Sequence, residues 1–127
     1  MFRADLYVRI SIDRIEVRNV RSGRSSAEVA DPAFSTQRLL IGQFTIAQEL
    51  LRGVVKAALG WWPFRLRRFV MHPLERVEGG LSQIEERVLR ELAAAAGSRR
   101  TIVWTGESLT DADVRAMLTA AGRVRSP

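Results

Sequence analysis

The stretch "LYVRISIDRIEVRNV" constrains the fold more than any other part of the chain. Leu6, Val8, Ile10 and Ile12 recur at every second position, the period that gives a strand one apolar face. Asp13-Arg14 then makes a short turn, and residues 15–20 return as a second strand. After the loop "RSGRSS", the segment "AEVA" (residues 27–30) reads as a weak third strand that stops at Asp31-Pro32.

From there the period changes. Residues 45–59 read as a helix whose stripe is Ala47, Leu50, Leu51, Val54, Val55 and Ala58. Thr45 and Gln48 have the spacing of a capping box at its start, and Gly60 ends it. "RFVMHP" (residues 68–73) is expected to be a short buried strand closed by Pro73. "LERVEGG" is a loop broken by Gly79-Gly80. Ser82 and Glu85 form a second capping box, opening a helix with Ile84, Val88, Leu89, Leu92 and Ala96 inward and its end at Gly97. "TIVWT" is expected as another buried strand. Thr110 caps a last helix with Asp111 and Asp113 in its first turn, Val114, Met117, Leu118 and Ala121 along it, and Gly122 at its end.

The order is therefore β-β-β-α-β-α-β-α. An antiparallel meander followed by helix–strand alternation implies an α/β fold with a mixed sheet, extended by right-handed crossovers. This is the order of a ribonuclease-H-like domain. At 127 residues the chain is expected to form one domain, residues 1–127. With no cysteine it lacks disulfides and thiolate metal sites, which fits a reducing compartment. No run reaches the length of a membrane span, and the start "MFRADLYV" is unlike a secretory signal, so a cytoplasmic location is expected. The net charge of +6 points to anionic partners, nucleic acid or an acidic lipid surface.

Catalytic patterns are sparse. Asp5, Asp13 and Glu16 lie at strand ends or on the wrong register for a two-metal site and read as solvated surface acids. His72, the one histidine, precedes a proline at a strand end and reads as a packing or hydrogen-bonding residue. No Ser/His/Asp arrangement or metal-ligand spacing is present. "EGG" before "LSQ" places glycines ahead of a helix start, where an anion can dock, but a plain loop feeding a capped helix explains it. No enzymatic activity, cofactor or metal is expected.

"LGWWPFRLRRF" (residues 59–69) is the exception, because connections usually carry small polar residues. Three explanations stand for it. The rings belong to the core; or they stack on single-stranded nucleic acid between arginines; or they enter a membrane interface, with the arginines attracting anionic lipid.

Longer segments resemble a known family. "LIGQFTIAQELLRGVV" (residues 40–55) resembles the entry into the first large helix of subdomain IA of the bacterial actin MreB. "SQIEERVLRELAAAAGSRRTIVW" (residues 82–104) resembles its next helix and strand, through Glu85, Arg87, Arg90, Glu91, Ala96, Gly97 and Arg99. His72-Pro73 falls where such strands end in V-P. The resemblance covers about residues 40–109 and implies a single actin-like subdomain IA. The departures fall on the chemistry. Where the family has a D-x-G-T phosphate loop, the hairpin here reads "RISIDR", with Arg9 in place of the metal-organising aspartate and Ser11-Ile12 for the glycine-threonine pair. Thr105 and Gly106 stand where a glutamate positions the attacking water. The third-strand-to-helix segment is too short for subdomain IB, and the resemblance does not extend to the second half of the ATPase, so a subdomain IA alone is expected.

The resemblance implies a catalytically dead relative of MreB, an accessory or scaffold connected with cell shape. In that family the connection matching residues 60–67 inserts into the inner leaflet. Trp61, Trp62, Phe64, Arg65, Arg67 and Arg68 are accordingly expected to meet an acidic lipid surface on the inner face of the cytoplasmic membrane. In a strand, neighbouring residues such as Arg67 and Arg68 point to opposite faces, so the three arginines need not all reach lipid. A MreB-type filament or a second copy is a further expected partner. A small basic nucleic-acid-binding module is the alternative.

Overall fold

The alternation in the first strand works on both faces, which makes that strand the centre of the sheet. β1 (Arg3–Ser11) pairs antiparallel with β2 (Arg14–Asn19) on one side and parallel with β4 (Leu66–Pro73) on the other. β3 (Ser25–Val29) extends the sheet beyond β2, and β5 (Ser98–Val103) extends it beyond β4, giving the order β3-β2-β1-β4-β5. The helices are α1 (Phe44–Leu59), α2 (Gln83–Ala95) and α3 (Asp111–Arg123). The structure, a computed structural model, describes residues 3–36, 39–60 and 66–123, without the side chains of 121–123.

The molecule is thus α/β, with a five-stranded mixed sheet and three helices in the order expected. α1 and α2 cover one face. There Leu6, Val8 and Ile10 of β1, Ile15 and Val17 of β2, and Phe69 and Met71 of β4 meet Leu51, Val54 and Val55 of α1 and Leu89 and Leu92 of α2. Burying a side chain of this size contributes roughly 1.5–3 kcal/mol, so this layer dominates stability. α3 covers the other face over a smaller cluster, Tyr7, Val70, Val114 and Leu118.

Several local expectations are corrected. The hairpin turn is Ile12-Asp13, because Ser11 pairs with Arg14, and Ile12 is turned out to solvent. Asp13 takes the left-handed conformation (φ 55°) that an aspartate tolerates in a two-residue turn. Its carboxylate accepts from the N–H groups of Phe34 (3.0 Å) and Ser35 (2.7 Å), so it anchors the segment after β3 and is not merely a surface acid. Asp5 is not solvated either; it is buried.

Thr45 does not cap α1. Gln43 is the N-cap, without a side-chain cap bond, and the N–H groups of Gly42 and Gln43 donate to the Phe34 carbonyl at 2.8 and 2.7 Å. Backbone contacts with the preceding loop fix the helix entry, which leaves Thr45 inside the first turn. Ile84 lies outside the core and is 76% exposed, because the inward face of α2 begins only at Val88 and Leu89. β5 is an edge strand, half-buried where it was expected to be buried. α3 runs through Gly122 to Arg123. The Ser82–Glu85 box is present in both directions, at 3.0 and 3.1 Å. A matching reciprocal pair joins Thr110 and Asp113 at 3.0 and 3.1 Å.

Candidate functional site

The sheet has two chemically different ends, and strand direction makes them so. β1, β4 and β5 are parallel and begin together. Their first three residues include Arg3, Arg67, Arg68, Arg99 and Arg100, with Asp5 the one carboxylate among them. α1 and α2 also finish at this end, and helix C-termini carry unsatisfied carbonyls and partial negative charge that attract cations. Three arginines serve them. Arg24 donates through Nε to the Ala57 carbonyl at 2.8 Å, Arg52 through Nε to Ala95 at 2.9 Å, and Arg67 through Nη1 to Ala96 at 2.9 Å. Gly97 must be glycine beside this last contact. Its φ is 94°, and an added Cβ would stand 2.9 Å from Arg67 Nη1.

Arg68 turns to the opposite face, as the alternation requires. It faces Asp5 in the β1–β4 register and donates Nε and Nη2 to the two carboxylate oxygens at 2.8 and 3.0 Å. The Asp5 side chain is 1% exposed and that of Arg68 11%, so this pair lies inside the α3 layer. Of the six residues expected at a lipid surface, Arg67 and Arg68 are therefore engaged, one with a helix end and one with a buried carboxylate. Trp61, Trp62, Phe64 and Arg65 lie outside the described residues. The connection that contains them runs from Gly60, at the end of α1, to Leu66, at the start of β4. Both ends of that connection are at the arginine-rich end of the sheet.

The other end is balanced in charge. Arg9 donates through Nη1 to Glu16 at 3.4 Å and through Nη2 to Ser108 Oγ at 3.3 Å, and Arg14 lies 3.9 Å from the same Glu16. Beneath Arg9 a chain of hydrogen bonds crosses the sheet. The Gly106 carbonyl can only accept, so His72 Nε2–H donates to it (3.0 Å). Nδ1 is then the acceptor for the Tyr7 hydroxyl at 2.6 Å, and that hydroxyl accepts from the Leu109 N–H at 3.2 Å. Burial holds the His72 imidazole below its ordinary pKa, and the positive charge of Arg9 adds to this, while the Gly106 contact works the other way. His72 is thus a neutral tie between the sheet and the 104–110 loop. At the start of α3, Arg18 donates to both oxygens of Asp111 at 2.8 and 2.9 Å and thereby holds that carboxyl below its usual range.

Among the described residues no cluster of three or more His, Cys, Asp or Glu side chains is placed to hold a metal ion. None of the described helices is long and apolar enough to cross a membrane. A small apolar cleft opens at the balanced end, between Leu39, Leu40, Val77, Leu81, Ile84 and Val88. The arginine-rich end is the stronger candidate site, because there like charges gather beyond what structure requires. Its local part, the aromatic and basic connection, is visible in the sequence. Arg3, Arg99 and Arg100 join it only through the parallel register, which no short motif encodes.

Over 97 residues the chain is 39% identical to the uncharacterized protein YjaA of Escherichia coli (strain K12), covering 72% of this chain and 75% of that protein. The chain belongs to the YjaA family. No protein-family model matches it. The description of that relative names no activity, ligand or partner.

Proposed function

We propose that the protein is a non-catalytic, peripheral membrane accessory, held on an acidic bilayer by residues 61–65 and the arginine-rich end around them, and associated with a MreB-type scaffold in cell shape. The observation that supports this most directly is position. The aromatic connection leaves α1 and enters β4 at the end of the sheet where the parallel strands begin with arginine. Aromatic rings favour the headgroup level, and adjacent cations supply the second signal that stable anchoring needs. The strand order β3-β2-β1-β4-β5, antiparallel then parallel, fits a ribonuclease-H-like, actin-type subdomain. A non-catalytic role is supported by Arg9, whose guanidinium between Glu16 and Ser108 occupies the place the resemblance gives to a metal-organising aspartate and would repel a cation there.

The test is cosedimentation with phosphatidylglycerol vesicles. The wild type should pellet with them, less so at high salt because the charge contribution is screened. A Trp61→Ala/Trp62→Ala/Phe64→Ala variant should stay folded and remain in the supernatant. If that variant unfolds, the rings belong to the core. If it pellets as before, or if a single-stranded oligonucleotide removes the wild type from vesicles, the membrane reading fails.

A further inference from the structure

The start of β1, β4 and β5 frames a cleft of about 250 Å³ lined by Arg3, Leu66, Arg68, Arg99 and Arg100. Register places Arg68 of β4 directly opposite Arg100 of β5 and Arg3 of β1 opposite Leu66. Like charges directly opposed across strands are unfavourable unless something compensates them. Among the described residues the carboxylate nearby is Asp5, and Arg68 already uses both of its oxygens. Arg21, half-exposed, approaches the same carboxylate at 3.9 Å. The guanidinium groups of Arg3, Arg99 and Arg100 have no hydrogen-bond or ion-pair partner among the described residues, and all three residues are exposed. Unlike Arg24, Arg52 and Arg67, they serve no helix end.

We propose that this cleft binds a phosphoryl group carrying two negative charges, a phosphate monoester or inorganic phosphate. Arginine presents a planar fork of N–H donors that matches phosphate oxygens two at a time. Three such forks, without counter-ions among the described residues, exceed what a singly charged phosphodiester neutralises. Arg68 forms the rigid wall, since its own hydrogen bonds to Asp5 fix its position and leave its charge beside Arg100. The site is built from strand residues alone. It therefore stands whether or not residues 61–64 meet a bilayer, and a phosphomonoester lipid headgroup and a free phosphate are alternative sources of the same chemistry.

The experiment is a titration with inorganic phosphate followed by amide chemical shifts, against chloride at equal ionic strength. Saturable shifts are expected at residues 3, 66–68 and 98–100. A variant carrying Arg3→Gln, Arg99→Gln and Arg100→Gln should bind at least tenfold more weakly. It should unfold at the same denaturant concentration as the wild type or a higher one, because removing opposed like charges relieves repulsion. The lipid arm uses the Trp61→Ala/Trp62→Ala/Phe64→Ala variant, so that loss of the rings and loss of the cleft are separated. Retention on phosphatidic acid vesicles but not on phosphatidylglycerol assigns the headgroup as source, and retention on neither with phosphate shifts intact assigns free phosphate. Shifts equal to those in chloride, unchanged phosphate affinity in the glutamine variant, or saturation by a single-stranded oligonucleotide without response to phosphate would each overturn the proposal.

Discussion

Asp5 and Arg68 face each other across the parallel β1–β4 pair and share two hydrogen bonds of 2.8 and 3.0 Å inside the α3 layer. Two charges so placed stabilise little in net terms, yet removing one leaves the other buried and unpaired. Asp5→Ala should therefore cost about 3–5 kcal/mol, read by urea denaturation at neutral pH. Replacing both residues by apolar ones of similar volume should recover most of that loss. A cost below about 1 kcal/mol for Asp5→Ala would mean that solvent reaches Arg68 and that the pair is in effect a surface one. The pair also determines how lipid binding should be tested. Arg68→Ala is expected to perturb folding by leaving Asp5 buried and unpaired, so Arg65 is the residue to remove.

Capping separates two positions with the same sequence pattern. Ser82 accepts from the Glu85 N–H and Glu85 accepts from the Ser82 N–H, whereas Thr45 makes no cap. Ser82→Ala should cost about 1 kcal/mol. Thr45→Ala should change stability by no more than about 0.5 kcal/mol. Equal losses at the two sites would contradict the observed entry into α1.

That contrast shows what kind of information was legible. The hairpin, the element order and the mixed sheet follow from period and turn chemistry, which are local. The faces of α1 were legible because its stripe is continuous from Ala47 to Ala58. Features set by distant segments were not. The carbonyl of Phe34 organises the start of α1 in place of Thr45. Asp5 looks like a surface acid until β4 brings Arg68 beside it. The arginine-rich end has the same character. "FRLRRF" announces part of it, but Arg3 and Arg99 stand 96 positions apart in the numbering and meet only because β1, β4 and β5 start together.

Ile84 is the simplest check on the inward face of α2. It is 76% exposed beside the apolar cleft, so its side chain gains little from folding. Ile84→Ser should shift stability by no more than about 0.5 kcal/mol, whereas Leu92→Ala, at a site with no exposure, should cost about 2–5 kcal/mol. Denaturation midpoints of the two variants decide it. A large loss at Ile84 would mean that another surface covers it in solution.

The last prediction concerns pH. His72 is held neutral by burial and by the nearby charge of Arg9, so its folded-state pKa lies below the ordinary value of 6.5. In the unfolded chain the ring takes up a proton near pH 6.5, while in the folded protein it resists. Between those two pKa values the unfolded state binds more protons, so stability rises with pH there. The contribution of His72 is complete above about pH 6.5 and is lost as pH falls toward the folded-state value. The carboxyl of Asp111, held low by Arg18, loses its contribution only below its own ordinary value of 3.8, which keeps the two windows apart. Protonation would also leave two hydrogens on the imidazole, where the Tyr7 hydroxyl now donates to Nδ1. Urea midpoints should therefore be flat from pH 8 to about 6.5 and decline as pH falls below about 6.5. His72→Gln, which can still donate one hydrogen bond and accept another, should flatten that decline. Tyr7→Phe should cost about 1–3 kcal/mol at pH 7.5, because it strips a partner from both His72 Nδ1 and the Leu109 N–H. A decline of equal size in the glutamine variant would place the titrating group elsewhere and refute the neutral-histidine tie.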